Sequence, residues 1–258
     1  MSESAAALRP ATADITLNSD MGESIGIHSF GNDEELLTLV DTINVACGMH
    51  AGDPGSMQLV VTQALAAGVT VGAHPGLPDL TGFGRRAMAL SADEVRDLVR
   101  YQVGALVGFL DSEGGNLHHI KPHGALFAMV SRDEELMDAV CDVAVQYEVP
   151  VFGLAGTFHE SVAHRRGVPF VSEFYVDLDY TDDGNIVVNR QGAASDLERV
   201  ARRADLALQS GAATSIGGGT FPVRVESFCI HSDLPNATAV AQTVRSAVNR
   251  WKESPALS

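Results

Sequence analysis

Cysteine is scarce in this 258-residue chain, and what there is does not pair. Cys47, Cys141 and Cys229 are far apart and form no Cys-x-x-Cys motif. That excludes a disulfide framework and a thiolate zinc site, and it fits a reducing cytoplasm. Cations are also few: 17 Lys and Arg stand against 33 Asp and Glu, for a net charge of −16. Such a surface repels nucleic acid and anionic membranes, although a local cluster of cations could still hold a small anion. No apolar run approaches the roughly 18 residues of a membrane helix. Met1 to Pro10 lack the basic start and apolar core of a signal peptide. No glycine-rich loop is followed by Lys-Ser/Thr; Gly217-Gly-Gly219 reads as a turn. ATP, if it is used, is therefore expected on another chain.

What is present is an alternation of short apolar runs with longer amphipathic ones. Seven runs read as buried strands: Ile15–Leu17, Ile43–Ala46, Val69–Ala73, Leu117–Ile120, Val151–Leu154, Phe170–Ser172 and Ser227–Ile230. Between them lie helix signals. Asp53-Pro54 is an N-cap with proline at the first helical position, and that helix is expected to stop at Gly68. Ser91-Ala-Asp-Glu94 and Ser131-Arg-Asp-Glu134 read as capping boxes. After Pro235, Val240, Val244, Val248 and Trp251 make an apolar stripe. This order implies an α/β fold with parallel strands and right-handed crossovers. Asp182-Asp-Gly184-Asn breaks the rhythm and predicts a hairpin insertion near 175–190. No linker divides the chain, so residues 1–258 read as one domain, with flexible ends at about 1–13 and 252–258. Periodicity alone leaves closed barrel and open sheet both open.

Nearly every strand ends in a burst of polar residues. In chain order these are Asn18-Ser-Asp20-Met-Gly-Glu23, then Asn44 with His50 and Asp53, then His74-Pro-Gly with Asp79 and Arg85-Arg86. Lys121-Pro-His123-Gly follows, then Glu173 and Asp177, and last His231-Ser-Asp233. In parallel α/β folds the carboxyl ends of the strands share one face, where active sites sit. Each motif also has a plain structural reading. Asp53 can be only a helix cap, the nearby glycines only turns, and Arg85-Arg86 only a solvated pair. His118 and His119 straddle a strand and read as structural; His28, His159 and His164 read as surface residues.

Six blocks carry a resemblance to the LamB/YcsF family, whose characterised activity is that of the A-type component of 5-oxoprolinase. They are Leu17 to Glu23, Asn44 to Pro54, Gly72 to Pro75, Asp79 to Arg86, Lys121 to Leu126 and Cys229 to Asp233. The resemblance implies a seven-stranded (β/α) barrel like that of the glycoside hydrolase and deacetylase barrels. It implies a subunit that opens 5-oxoproline to glutamate, with B and C type partner subunits that use ATP to activate the lactam. The chain departs from the family pattern at Leu178, where an arginine is usual, at Phe127-Ala128 and at Ser232. Loss of a cation removes a partner for a carboxylate or phosphate, so the substrate is left open.

On this reading Asp20 and Asp233 are candidate bases for water, because neighbouring acids raise a carboxylate's pKa. His50, His74 and His123 are candidate proton carriers or oxyanion donors. Arg85 and Lys121 are expected to hold the substrate's anion, with Glu173 and Asp177 orienting them. Asn18, Glu23, Asn44, Asp53 and His231 complete the expected substrate-binding set. Asp20, His50 and His74 could imitate the deacetylases' metal ligands, but no pair such as His-x-x-x-His supports this, and no metal is assigned. Three rivals remain: a stand-alone metal-dependent amidohydrolase, a hydrolase of another cyclic amide, and a non-catalytic scaffold. Formation of a homo-oligomer is allowed but not indicated.

Overall fold

The computed structural model describes residues 14–29, 31–187 and 193–254. Its elements run β1 (Thr16–Met21), α1 (Asp33–Leu36), β2 (Thr42–Ala46), α2 (Pro54–Ala66), β3 (Thr70–His74), α3 (Ala92–Glu113) and β4 (Leu117–Ile120). They continue as α4 (Gly124–Val130), α5 (Glu134–Tyr147), β5 (Val151–Gly153), α6 (Phe158–Arg166), β6 (Phe170–Tyr175), β7 (Asp179–Tyr180) and β8 (Ile186–Val187). The last are α7 (Leu197–Ser210), β9 (Ala212–Thr214), β10 (Thr220–Pro222), β11 (Ser227–His231) and α8 (Ala237–Glu253). The seven expected strands are β1 to β6 and β11. They close into a barrel in the order β1-β11-β6-β5-β4-β3-β2, with every pairing parallel.

Closure follows from where the apolar residues lie. On β1, Leu17 and Met21 are fully buried and join the core, and Ile43 and Val45 on β2 do the same. They meet the apolar stripes of the surrounding helices. In α3 that stripe is Val95, Val99, Val103 and Leu106, all fully buried. In α8 it is Val240, Val244 and Val248, with Trp251 half-buried at its end. Because successive strand residues face opposite ways, the other face of each strand turns into the barrel. There the residues are polar: Asn18, Asp20, Asn44, His119, Glu173 and Ser227 are all buried.

Two helix starts behave as the sequence predicts. The Asp53 carboxylate accepts from Ser56 N at 2.9 Å ahead of Pro54. Ser91 and Glu94 make both bonds of a capping box. Ser131 does not make the second box. It ends α4, its hydroxyl donating to Ala128 O at 2.9 Å, while Asp133 caps α5 by accepting from Glu135 N and Leu136 N. A carboxylate one residue before the helix is the better acceptor, and Ser131 is already spent.

The hairpin insertion is present as antiparallel β7 and β8; residues 188–190 of that prediction lie outside the described residues. Gly217-Gly-Gly219 is a turn, as expected, but it joins a second, unforeseen hairpin of β9 and β10. Of the expected flexible ends, 1–13 and 255–258 lie outside the described residues, whereas Lys252 and Glu253 still belong to α8. Among the described residues no helix is long and apolar enough to cross a membrane.

Candidate active site

Strand register assembles the centre. Asp20 pairs with Asn44 on β2 and with His231 on β11, so three strands deliver three polar groups in one row. The Asn44 amide donates 2.8 Å bonds to Asp20 Oδ1 and to Asn18 Oδ1. Asn18 in turn donates to Ser227 Oγ at 2.7 Å. His119 supports Asn44 from below, with Nε2 at 2.5 Å from Asn44 Oδ1. Asn18 and Asn44 therefore lie beneath Asp20 and do not reach the open cleft.

Lys121, just past β4, crosses the barrel interior. Its ammonium is 2.9 Å from Asp20 Oδ1 and 2.9 Å from Cys229 Sγ. It also forms an ion pair with Glu173 Oε1 at 3.3 Å. The other Glu173 oxygen accepts from the Tyr175 hydroxyl at 2.9 Å. Burial alone would neutralise Lys121, but Asp20 and Glu173 outweigh it and hold the ammonium well above its ordinary pKa. On β11, His231 Nδ1 is 3.0 Å from Asp177 Oδ2, which also accepts from His231 N at 3.0 Å. Burial opposes protonation of His231, yet Asp177 and then Asp20 push its pKa up to about 9.

Asp20 corrects one expectation. Burial would raise its pKa, but His74, Lys121 and His231 dominate and hold it well below the usual value. Its nearest charged partners include the Lys121 ammonium, at 2.9 Å. Glu23 is instead raised, first by burial and then by Asp20, Asp233 and Asp33.

A second group adjoins the first. His74 Nδ1 is 2.7 Å from Lys121 O, and His123 Nε2 is 2.8 Å from Phe83 O. Carbonyls only accept, so both of these nitrogens carry protons. The remaining nitrogens, His74 Nε2 and His123 Nδ1, face each other at 3.0 Å, and Asp20 Oδ2 is 3.3 Å from His74 Nε2. His50 stacks on His123, with ring centroids 3.7 Å apart, and its Nε2 is 3.6 Å from Glu23 Oε1. Burial, with His123 and His74 nearby, keeps His50 neutral. Glu23, His50, His74 and His123 each offer a ligand atom, all within 4.8 Å of one another. Asp20, Cys229 and His231 form a second such group. The expected trio of Asp20, His50 and His74 is thus divided between two sets.

The cleft above these groups is open to solvent. Asp20, His74, Arg85, Lys121, His123 and His231 line it. Arg85 Nη2 lies 3.4 Å from Asp233 Oδ2 at the rim. Arg86 is turned away and pairs with Asp79 in the loop after β3, so the two arginines have different tasks. Asp53 has both oxygens engaged by backbone N–H groups, of Ser56 and of Gly26, and lies outside the cleft. Glu23, His50 and Glu173 are buried behind the lining, as is the side chain of Asp177. The departures at Phe127, Ala128 and Leu178 are in the cleft wall, and Ser232 is buried nearby.

Tyr175, Cys229 and Arg132 were not anticipated. Tyr175 and Cys229 stand two residues from Glu173 and His231 on the same strands, so the period of two could have found them. Arg132 lines the cleft with no sequence signal of its own. His159, expected on the surface, is fully buried. Its Nδ1 accepts from Leu154 N and its Nε2 reaches Phe127 O at 3.1 Å; burial pushes its pKa down to about 4.

Residues 15–254 match the LamB/YcsF family. The chain belongs to the LamB/YcsF family. It is 42% identical over 241 residues to the lactam utilization protein lamB of Emericella nidulans, covering 92% of this chain and 95% of that one. It is 43% identical over 240 residues to the A-type component of 5-oxoprolinase from Thermus thermophilus, covering 92% and 96%. The crystal structure of the lactam utilization protein from Thermus thermophilus superposes with a TM-score of 0.83 at 42% identity, over 92% and 96% of the two chains. The LamB/YcsF blocks read from the sequence are the segments that end the barrel strands here.

Proposed function

We propose that the chain is the ring-opening subunit of an ATP-dependent 5-oxoprolinase. In this reading it acts as one domain beside B and C type subunits, in the cytoplasm. The observation that carries the reading is the cleft in which Asp20, His74, Lys121 and His231 converge, in a chain over 40% identical to proteins named for lactam utilization and 5-oxoprolinase.

A five-membered lactam resists water because its amide is resonance-stabilised. The partner subunits transfer the γ-phosphoryl group of ATP to the lactam oxygen. Water then adds to the ring carbon and the C–N bond breaks, the nitrogen taking a proton, which leaves a γ-glutamyl phosphate; a second water releases phosphate from it and gives glutamate. Asp20, ionised and held by Lys121 and Asn44, aims His74 and stabilises positive charge on it. His74 and His123 move the proton between water and the ring nitrogen. Arg85 and the ammonium of Lys121 face the anionic phosphate or carboxylate.

The test is reconstitution with the partner subunits, following glutamate and ADP from 5-oxoproline. Asp20→Asn is expected to lower kcat by ~10²–10⁴-fold, the usual reach of acid–base catalysis. Unchanged turnover in that variant, or turnover with this chain omitted, overturns the reading. The apolar wall of Phe127, Leu154, Leu178 and Ile186 favours one second reading, a cyclic amide with a more apolar ring. Faster turnover of such a lactam than of 5-oxoproline would select it.

A further inference from the structure

We infer that Glu23, His50, His74 and His123 form a binding site for one divalent first-row transition-metal ion, of the zinc type. The inference does not depend on the lactam reading, but an ion bound here would take His74 Nε2 and His123 Nδ1 as ligands in place of the proton transfer proposed for them above.

Three features lead to it. The first is the meeting of His74 Nε2 and His123 Nδ1 at 3.0 Å. Each ring's other nitrogen is committed as a donor to a backbone carbonyl, Lys121 O or Phe83 O. In the neutral tautomers, two lone pairs therefore point at each other. Something positive must lie between them, either an extra proton or a metal ion. Bonds of about 2.0–2.1 Å from zinc to imidazole nitrogen reach both. An imidazole whose far N–H is anchored on a carbonyl is the usual arrangement around a bound metal.

The second feature is His50. It is fully buried, and neither of its ring nitrogens has a hydrogen-bond partner. A buried polar group without a partner costs about 1–3 kcal/mol, so its place requires a reason. Its ring lies flat on His123, with 6° between planes, and its Nε2 points toward Glu23. One of its nitrogens already lies within 4.8 Å of the ligand atoms of Glu23, His74 and His123.

The third is the donor set. Three imidazoles and one carboxylate suit zinc or a neighbouring divalent ion and do not suit magnesium or calcium, which prefer oxygen. Glycines make the room. A Cβ at Gly76 would collide with His50 Nδ1, and one at Gly84 would stand 2.6 Å from His50 Cβ and 2.9 Å from His123 Cδ2. A bound ion there would lie beside Asp20 and would supply positive charge at the floor of the cleft.

The test is a titration of the chelator-treated full chain with zinc ion, and separately with cobalt ion. One equivalent bound at ~micromolar affinity or tighter is expected, and cobalt should show a ligand-field spectrum of nitrogen-rich coordination. Nitrogen NMR of the imidazoles should show zinc shifting His50, His74 and His123 while His159 stays in place. His50→Ala, His123→Ala and Glu23→Gln should each weaken binding by more than ~10-fold, since even residues that only support ligands cost that much. His118→Ala, outside the cluster, should leave binding unchanged. No stoichiometric binding by the wild type overturns the proposal. So does full affinity in any of the three ligand variants that remains folded, or an unmoved His50 in the NMR spectrum. Binding and glutamate formation are separate readouts, so either proposal can fail alone.

Discussion

The two clusters that meet at His74 are built on opposite terms. Around Lys121, charge is matched by charge: Asp20 and Glu173 flank the ammonium, and Asp177 clamps His231. Around His50, charge is nearly absent and hydrogen-bond capacity goes unused. Both are buried to a similar degree. Burial therefore does not dictate pairing: the first cluster balances its charges although Glu173 Oε1 and Asp177 Oδ1 lack a hydrogen bond, whereas the second leaves both nitrogens of His50 without one.

The comparison breaks most sharply at Lys121. Lys121→Met removes the buried cation that Asp20 and Glu173 share, and leaves Glu173 buried without its ion-pair partner. A loss of ~3–5 kcal/mol in unfolding free energy is expected in urea. A near-neutral result would show that the matched cluster is not held by its charges.

Asp177→Asn tests the same cluster through pH. The His231 pKa is raised from 6.5 to about 9, so its contribution is fully present below 6.5 and is lost as pH rises through 9. The shift corresponds to about 3 kcal/mol. Asp177, held below its ordinary value, keeps the pair ionised on the acid side, and that part is lost only as pH falls below about 3.8. Wild type and variant should differ most between about pH 4 and 6.5 and converge above 9. A constant difference across that range would place the effect in packing rather than in the ion pair.

Asp53→Ala lies outside both clusters. It should cost ~1 kcal/mol, as a lost N-cap does, and leave ring opening unchanged. A fall in kcat with stability preserved would bring Asp53 back into the site. His50→Leu should have the smallest effect. With no metal added it removes an unpartnered polar ring, so stability should stay within about 1 kcal/mol of wild type or rise. A loss as large as that of Lys121→Met would show that His50 is already satisfied in the metal-free protein.

The contrast also explains what the sequence made legible. Strand ends rich in polar residues correctly located the face of the barrel, because side-chain type and parallel topology are local properties. Partnership is not local. That Asp20 is held low depends on cations arriving from β4 and β11, far along the chain, and that Glu23 is raised depends on burial and then on Asp20 and Asp233. Buried His159 escaped for the same reason: its helix is polar overall, and only the approach of Phe127 and the bare Gly153 beneath its ring give it an interior. The cap at Asp133 escaped because two good capping residues compete within three positions, and a pattern cannot tell which is already engaged.

Barrel closure has a consequence for biosynthesis. β1 is sealed on one side by β11, and Ser19 donates to Ile230, 211 residues further along the chain. Asp20 therefore leaves the ribosome long before His231 and meets it only after β11 has been made. Until then the first strand has one unpaired edge and a carboxylate without one of its cations. A nascent chain stalled before β11 would be expected to expose that edge to chaperones and to have no working centre.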